Sequence, residues 1–264
     1  MGCRLRSSDL VSSLRLLDPC RADKTLLMAV TKVRIRFSKH GDLRLLSHHD
    51  LMRGFERALR RAALPVVLSQ GFTPRPKMSI AQALALGIEG RREVLDLELT
   101  EPLEAEEIRM RLAAVLPPGL DLVEAELVPA GKTAQAVSLW YHIEVPETRR
   151  EAAAAELDAL LQATQRPYVR IREGKSIKLD LRPFLLQASL SDEGILRFQL
   201  RVASTGSARP EELLDTLQLR DLLSLGGILV RDDIELAATP ITRVDSSAHA
   251  STSNSNPESV LPDQ

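Results

Sequence analysis

Residues 32–77 read KVRIRFSKHGDLRLLSHHDLMRGFERALRRAALPVVLSQGFTPRPK, and the change of period inside this stretch decides the fold. From Lys32 to Phe37 polar and apolar residues alternate strictly. Val33, Ile35 and Phe37 therefore share one face of a strand, and Lys32, Arg34 and Arg36 point outward from the other. A turn at His40-Gly41-Asp42 and the run Leu43 to Leu46 follow, and then the spacing becomes helical. Leu51, Phe55, Ala58, Leu59 and Ala62 fall on one side, with Arg53, Arg57, Arg60 and Arg61 opposite. Ser47-His-His-Asp50 has the spacing of a capping box, in which Ser47 accepts from the Asp50 amide and the Asp50 carboxylate reaches back. Pro65 stops the helix.

Beyond this stretch the same alternations continue. Short strands are expected at Val66–Leu68 and Met78–Leu86, a clear strand at Glu93–Leu99, a helix at Glu104–Leu116 and a strand at Leu120–Val128. The order is then β-α-β-β-α-β. The second half repeats it, with strands at Leu139–Val145, Tyr168–Arg172, Ser176–Leu181, Leu185–Leu190, Ile195–Val202, Ile228–Arg231 and Ile234–Ala237. Its helices are Glu147–Thr164 and a segment opening at Pro210. This pattern predicts an α+β chain of two tandem ferredoxin-like (βαββαβ) domains with antiparallel sheets, 32–129 and 138–244. Residues 1–31 read as a flexible extension, with Met28 an alternative start. Residues 245–264, rich in Ser, Asn and Pro and containing His249, read as a disordered tail.

Composition narrows the function classes. The net charge of −1 hides a segregation: residues 32–77 hold eleven Lys/Arg against three Asp/Glu, and residues 78–129 four against eleven. A positive and a negative face are expected. No apolar run approaches the ~18 residues of a membrane span, so no membrane partner is expected. Cys3 and Cys20 are the only cysteines, too few for a disulfide framework or a thiolate metal site, and a reduced, cytoplasmic setting is expected.

The residues GDLRLLSHHDLMRGFERALRRAALPVVLSQGFTPRPKMSIAQALALGIEG resemble the signature of the bacterial radical SAM-linked protein family. That is an uncharacterised domain family found alone or fused behind a radical SAM domain. The matching positions are Ser47, His48, Asp50, Gln70, Gly71, Pro74, Pro76, Lys77 and Gly87. The likeness is specific from Lys32 to Leu99 and looser to about Val244. Similar sequences often carry histidine where this chain has Arg75. A radical SAM enzyme is the partner the resemblance implies. The chain itself has no Cys-x3-Cys-x2-Cys motif, so no cofactor of its own is expected and iron–sulfur chemistry would come from that partner.

The residues themselves point to binding more than to catalysis. His48 and His49 open a helix, where the macrodipole disfavours the imidazolium, so a neutral His48 suits acid–base work or hydrogen bonding; a plain cap suits the pattern equally. His40, His48, His49 and Asp50 lack metal-ligand spacing, and no metal is expected. In the Gln70–Lys77 loop, Gly71 permits close backbone approach, Arg75 and Lys77 can meet phosphate and Phe72 can stack on a base. Equally, Phe72 can plug the core while the prolines set a turn. Three functions fit. The first is a non-catalytic accessory protein binding RNA or another anionic substrate through Ser47, His48, Asp50, Arg53, Arg57, Gln70, Gly71, Phe72, Arg75 and Lys77. The second is an RNA-processing enzyme with His48 as general acid or base and Lys77 stabilising phosphate charge. The third is an interaction module docking through the acidic Glu93–Glu126 surface, with Glu104, Glu106 and Glu107 at its centre.

Overall fold

The structure, a computed structural model, describes residues 31–129, 133–203 and 206–237. Residues 1–30 of the expected extension, the 245–264 tail with His249 and both cysteines lie outside the described residues, while Thr31 opens the first strand. The first half runs β1 (Thr31–Lys39), α1 (His48–Arg61), β2 (Met78–Ile80), β3 (Glu89–Leu99), α2 (Ala105–Ala113) and β4 (Leu120–Val128). The second runs β5 (Ala136–Glu144), α3 (Glu147–Gln162), β6 (Pro167–Arg172), β7 (Lys175–Asp180), β8 (Leu185–Leu190), β9 (Ile195–Ala203), β10 (Gly206–Ser207), α4 (Pro210–Thr216), α5 (Asp221–Ser224) and β11 (Val230–Leu236). Nine strands make one sheet in the order β10-β9-β5-β11-β3-β1-β4, with β2 on β3 and β8 on β9. Strands β6 and β7 form a separate hairpin. The fold is mixed α/β on a large, mostly antiparallel sheet. Pairing within each half follows one scheme, β4-β1-β3-β2 and β11-β5-β9-β8.

Helix α1 forms for the reasons its sequence advertises. Leu51, Phe55, Ala58 and Leu59 are buried, and Phe55 meets Phe37 of β1 edge to face at 4.9 Å. They join Val33, Ile35, Leu95, Leu97, Ile108 and Leu112 in one core. The cap differs from the expected box in one bond. Ser47 Oγ accepts from the Asp50 amide at 3.2 Å, but the Asp50 carboxylate accepts the Ser47 hydroxyl at 2.7 Å instead of reaching back to an amide. Asp is one methylene shorter than the Glu of a capping box, which fits this local closure. At the other end Ala63 turns into the left-handed region, φ 49°, ahead of Pro65.

Three strand expectations change. Val66–Leu68 makes only isolated bridges, Val66 to Leu99 and Leu68 to Pro76. Of Met78–Leu86 only Met78–Ile80 pairs with β3, because the chain then leaves the sheet edge and buries Leu84 and Ile88 in the core of the other half. Ile228–Arg231 and Ile234–Ala237 merge into the single strand β11, with a register shift between Arg231 and Asp233 that absorbs the irregular alternation.

The outward basic face of β1 is also corrected. Lys32 and Arg34 are buried and share Asp96 of β3, at 3.1 and 2.9 Å. The amide of Ala134, on the connection between the halves, donates to the same carboxylate at 2.8 Å. Arg36 meets Asp233 of β11 at 2.7 Å. Arg36 therefore ties the second half to the first directly, and Asp96, charged against Lys32 and Arg34, anchors the connection between them. Burial alone would raise the Asp96 carboxyl pKa, but the hydrogen bonds from Arg34, Ala134 and Lys32 outweigh it and hold it below the usual range.

The halves also join edge to edge. Val230 and Arg231 of β11 pair in parallel with Glu89 and Gly90 of β3. At that seam Arg231 forms a bidentate, fully buried ion pair with Glu93, its Nε 2.8 Å from Oε1, and donates to the carbonyls of Gln82 and Ala83. Gly90 is required there, because a Cβ at that position would sit 2.5 Å from the Glu93 carboxylate.

Removing one partner of a desolvated ion pair strands the other. Arg231→Ala or Glu93→Ala should each lower the unfolding free energy by about 3–5 kcal/mol. The double replacement Glu93→Leu/Arg231→Met should recover much of that loss in urea denaturation. Asp96 has a lower pKa folded than unfolded, so its charge stabilises the fold at neutral pH. That contribution should fade as the pH falls from about 5 towards 2, and denaturation midpoints for Asp96→Asn should depend less on pH across that window.

Candidate functional site

The predicted site residues divide between two structures, the exposed face of α1 and the loop before β2, which one ion pair links. Lys39, buried at the end of β1, directs its ammonium to the carbonyls of Arg44 and Leu46, 3.4 Å from each. This pins the short 3-10 turn Gly41–Leu45 and so sets where Ser47 begins the helix. Burial pulls the Lys39 pKa below its usual value, with Glu93 working against the shift and Arg231 with it.

The loop is a tight excursion from the sheet edge. Val67 donates to Glu98, Lys77 to Val67 and Ser69 to Arg75, each at 2.8 Å, and the Arg75 amide donates to Ser69 Oγ at 3.1 Å. Its tip, Gln70 to Pro74, stands in solvent. Gly71 turns it with φ +136°, a conformation side chains disfavour. Phe72 at this tip is fully exposed, so the core-plug reading of that residue is overturned.

Arg75 reaches Glu56 in the middle of α1 at 4.0 Å, and Lys77 reaches Glu98 on β3 at 3.5 Å. The loop therefore rests beside the helix. Arg53 lies 3.6 Å from Asp50, an exposed contact worth little. The side chains of Arg57 and Arg60 are exposed and make no hydrogen bond or ion pair among the described residues. Arg61 is diverted to the carbonyl of Val115 at 2.6 Å. What remains is a strip of solvated guanidinium groups along α1, with the Gln70–Lys77 loop reaching its middle through Arg75.

Ser47, His48 and Asp50 sit at the N-terminal end of that strip. Glu56, where the loop touches, lies eight residues further on, about 12 Å along the helix. His48 is half-buried and meets His49 edge to face at 5.8 Å, and no carboxylate orients it among the described residues. No group of three metal-ligating side chains occurs among the described residues. The acidic surface is interrupted, because Glu93 and Asp96 are buried. On α2, Glu106 and Glu107 are paired with Arg109 and Arg111 of the same helix.

Two polar concentrations carried no signal in the sequence. His142 of β5 bonds Asp232 at 2.8 Å, with Arg91 and Arg197 at 3.2 and 3.8 Å from the same carboxylate. Burial works against charge on Asp232, but His142 and the arginines prevail and hold its pKa low. The other is a cleft between the halves, floored by Tyr141 and Arg231 and walled by β6 and α4. Their members are scattered along the chain and sit at ordinary strand and helix positions.

No curated protein matches the chain. A crystal structure of an unknown protein from Galdieria sulphuraria is similar at 12% identity, covering 79% of this chain and 99% of that one with a TM-score of 0.26. Residues 32–210 match the profile of an uncharacterised protein family conserved in bacteria, DUF2344. That span takes in both halves from β1 to the start of α4, and the chain belongs to this bacterial family.

Proposed function

We propose that this protein is a non-catalytic accessory protein that binds single-stranded RNA along α1 and the Gln70–Lys77 loop and presents it to a radical SAM enzyme. The RNA is the anionic substrate the exposed chemistry suits best. The partner follows from the resemblance of the Lys32–Leu99 region to radical SAM-linked sequences. On this reading each half is a ferredoxin-like unit, the repeated β-strand pairing order being what supports it.

The observation that carries the proposal is Phe72, fully exposed on a loop whose Arg75 reaches an arginine-rich helix. An exposed phenyl ring is unfavourable in water unless something covers it, and nucleobases offer a flat face to every aromatic ring. Arg53, Arg57 and Arg60 would follow the phosphates, and Arg75 and Lys77 would flank the stacked base. The acid–base role for His48 has no orienting partner among the described residues to support it, and docking through α2 has Glu106 and Glu107 already paired within the helix.

Fluorescence anisotropy with a labelled, unstructured RNA tests this. Phe72→Ala should weaken binding by about 1–3 kcal/mol, the range for loss of one stacked base. Charge reversal at Arg53 and Arg57 should weaken it further and flatten the salt dependence by about 0.7 in log–log slope per lost phosphate contact. Salt-insensitive binding, unchanged in both variants, would overturn the proposal. His48→Ala should leave RNA intact and its binding nearly unaltered. If instead the wild-type protein cleaves RNA and His48→Ala abolishes cleavage, the enzymatic reading replaces this one.

A further inference from the structure

The cleft between the halves has a volume of about 730 Å³, within the usual range for a small-molecule site. It is built from both halves. The Gln82–Ile88 segment of the first closes one side, and Tyr141, β6 and the start of α4 supply the rest. Four arginines line it. Two are consumed internally: Arg231 by Glu93, and Arg170 by Glu212, with Nη2 to Oε2 at 2.8 Å and a further bond to the Ser207 carbonyl. The other two, Arg209 and Arg220, have exposed side chains that make no hydrogen bond or ion pair among the described residues.

The two kinds of arginine have different consequences. The paired ones hold the walls. The other two leave about ten N–H donors for solvent or a ligand, in a cleft that Glu211, Glu212 and Asp215 also line. Beside them stands Tyr168, whose hydroxyl donates to Asp215 at 2.9 Å. Burial and that carboxylate hold its phenol pKa up, against a smaller opposing pull from Arg220. A carboxylate is satisfied by one guanidinium fork, whereas a phosphate monoester carries nearly two charges and three acceptor oxygens and can engage two.

We infer that this cleft binds a mononucleotide-sized phosphate ester, its phosphate held by Arg209 and Arg220 and its planar body against Tyr168. The site is separate from the α1 strip and does not depend on the RNA reading.

Isothermal titration of the whole chain with adenosine monophosphate, adenosine, inorganic phosphate and benzoate tests it. The monophosphate should bind, adenosine and phosphate each more weakly, and benzoate most weakly of the four. Arg209→Gln/Arg220→Gln should weaken the monophosphate at least tenfold while leaving the thermal midpoint unchanged, since both side chains are exposed. Tyr168→Ala should weaken the monophosphate and adenosine but not inorganic phosphate. Charge reversal at Arg53 and Arg57, which tests the α1 strip, should leave all four unchanged. Monophosphate binding that survives loss of both arginines would overturn the inference, as would no binding by any phosphate-bearing probe, or benzoate binding as tightly as the monophosphate.

Discussion

A buried ion pair between Glu93 and Arg231, 138 residues apart in the chain, holds the two halves of this protein in one sheet. Charges removed from water are costly unless each finds its counter-charge and every remaining donor an acceptor. Here the guanidinium is satisfied by the carboxylate on one side and two backbone carbonyls on the other. The geometry it demands is tight enough to require a glycine at position 90. The parallel β3–β11 pairing, the path of the Gln82–Ile88 segment and the floor of the cleft between the halves all meet at this pair.

A second polar lock adds to the first. Asp96 collects Lys32, Arg34 and the Ala134 amide, and Asp233 takes Arg36. Hydrophobic contact alone would let the two halves slide, because apolar burial has no direction. Charge-assisted hydrogen bonds have direction and so select one docking geometry. The same arrangement removes three cations from the surface, which leaves α1 as the exposed basic element of the first half.

This division of labour explains why the two candidate surfaces differ. The α1 strip and its loop are exposed and carry solvated guanidinium groups, conditions suited to a long flexible polyanion. The cleft is concave and shared between halves, and its two arginines that lack an ion pair among the described residues stand beside internally paired ones, conditions suited to a small ligand. Neither surface needs the other to be occupied.

Local order was legible in the sequence wherever one face of an element is apolar. The alternation at Lys32–Phe37 and the helical spacing from Leu51 to Ala62 are statements about which side is buried, and β1 and α1 follow them. Short edge segments were less legible, since Val66–Leu68 and Ala81–Leu86 have strand composition but their pairing depends on what lies beside them. Tertiary structure alone decided the fate of the charges. Alternation places Lys32, Arg34 and Arg36 on one face, but only the arrival of Asp96, Ala134 and Asp233 makes that face an interior. Nor does sequence distinguish Arg231, buried against Glu93, from Arg220, left facing the cleft. A charge is defined by its partners, and partners this far apart in the chain meet only when the sheet closes.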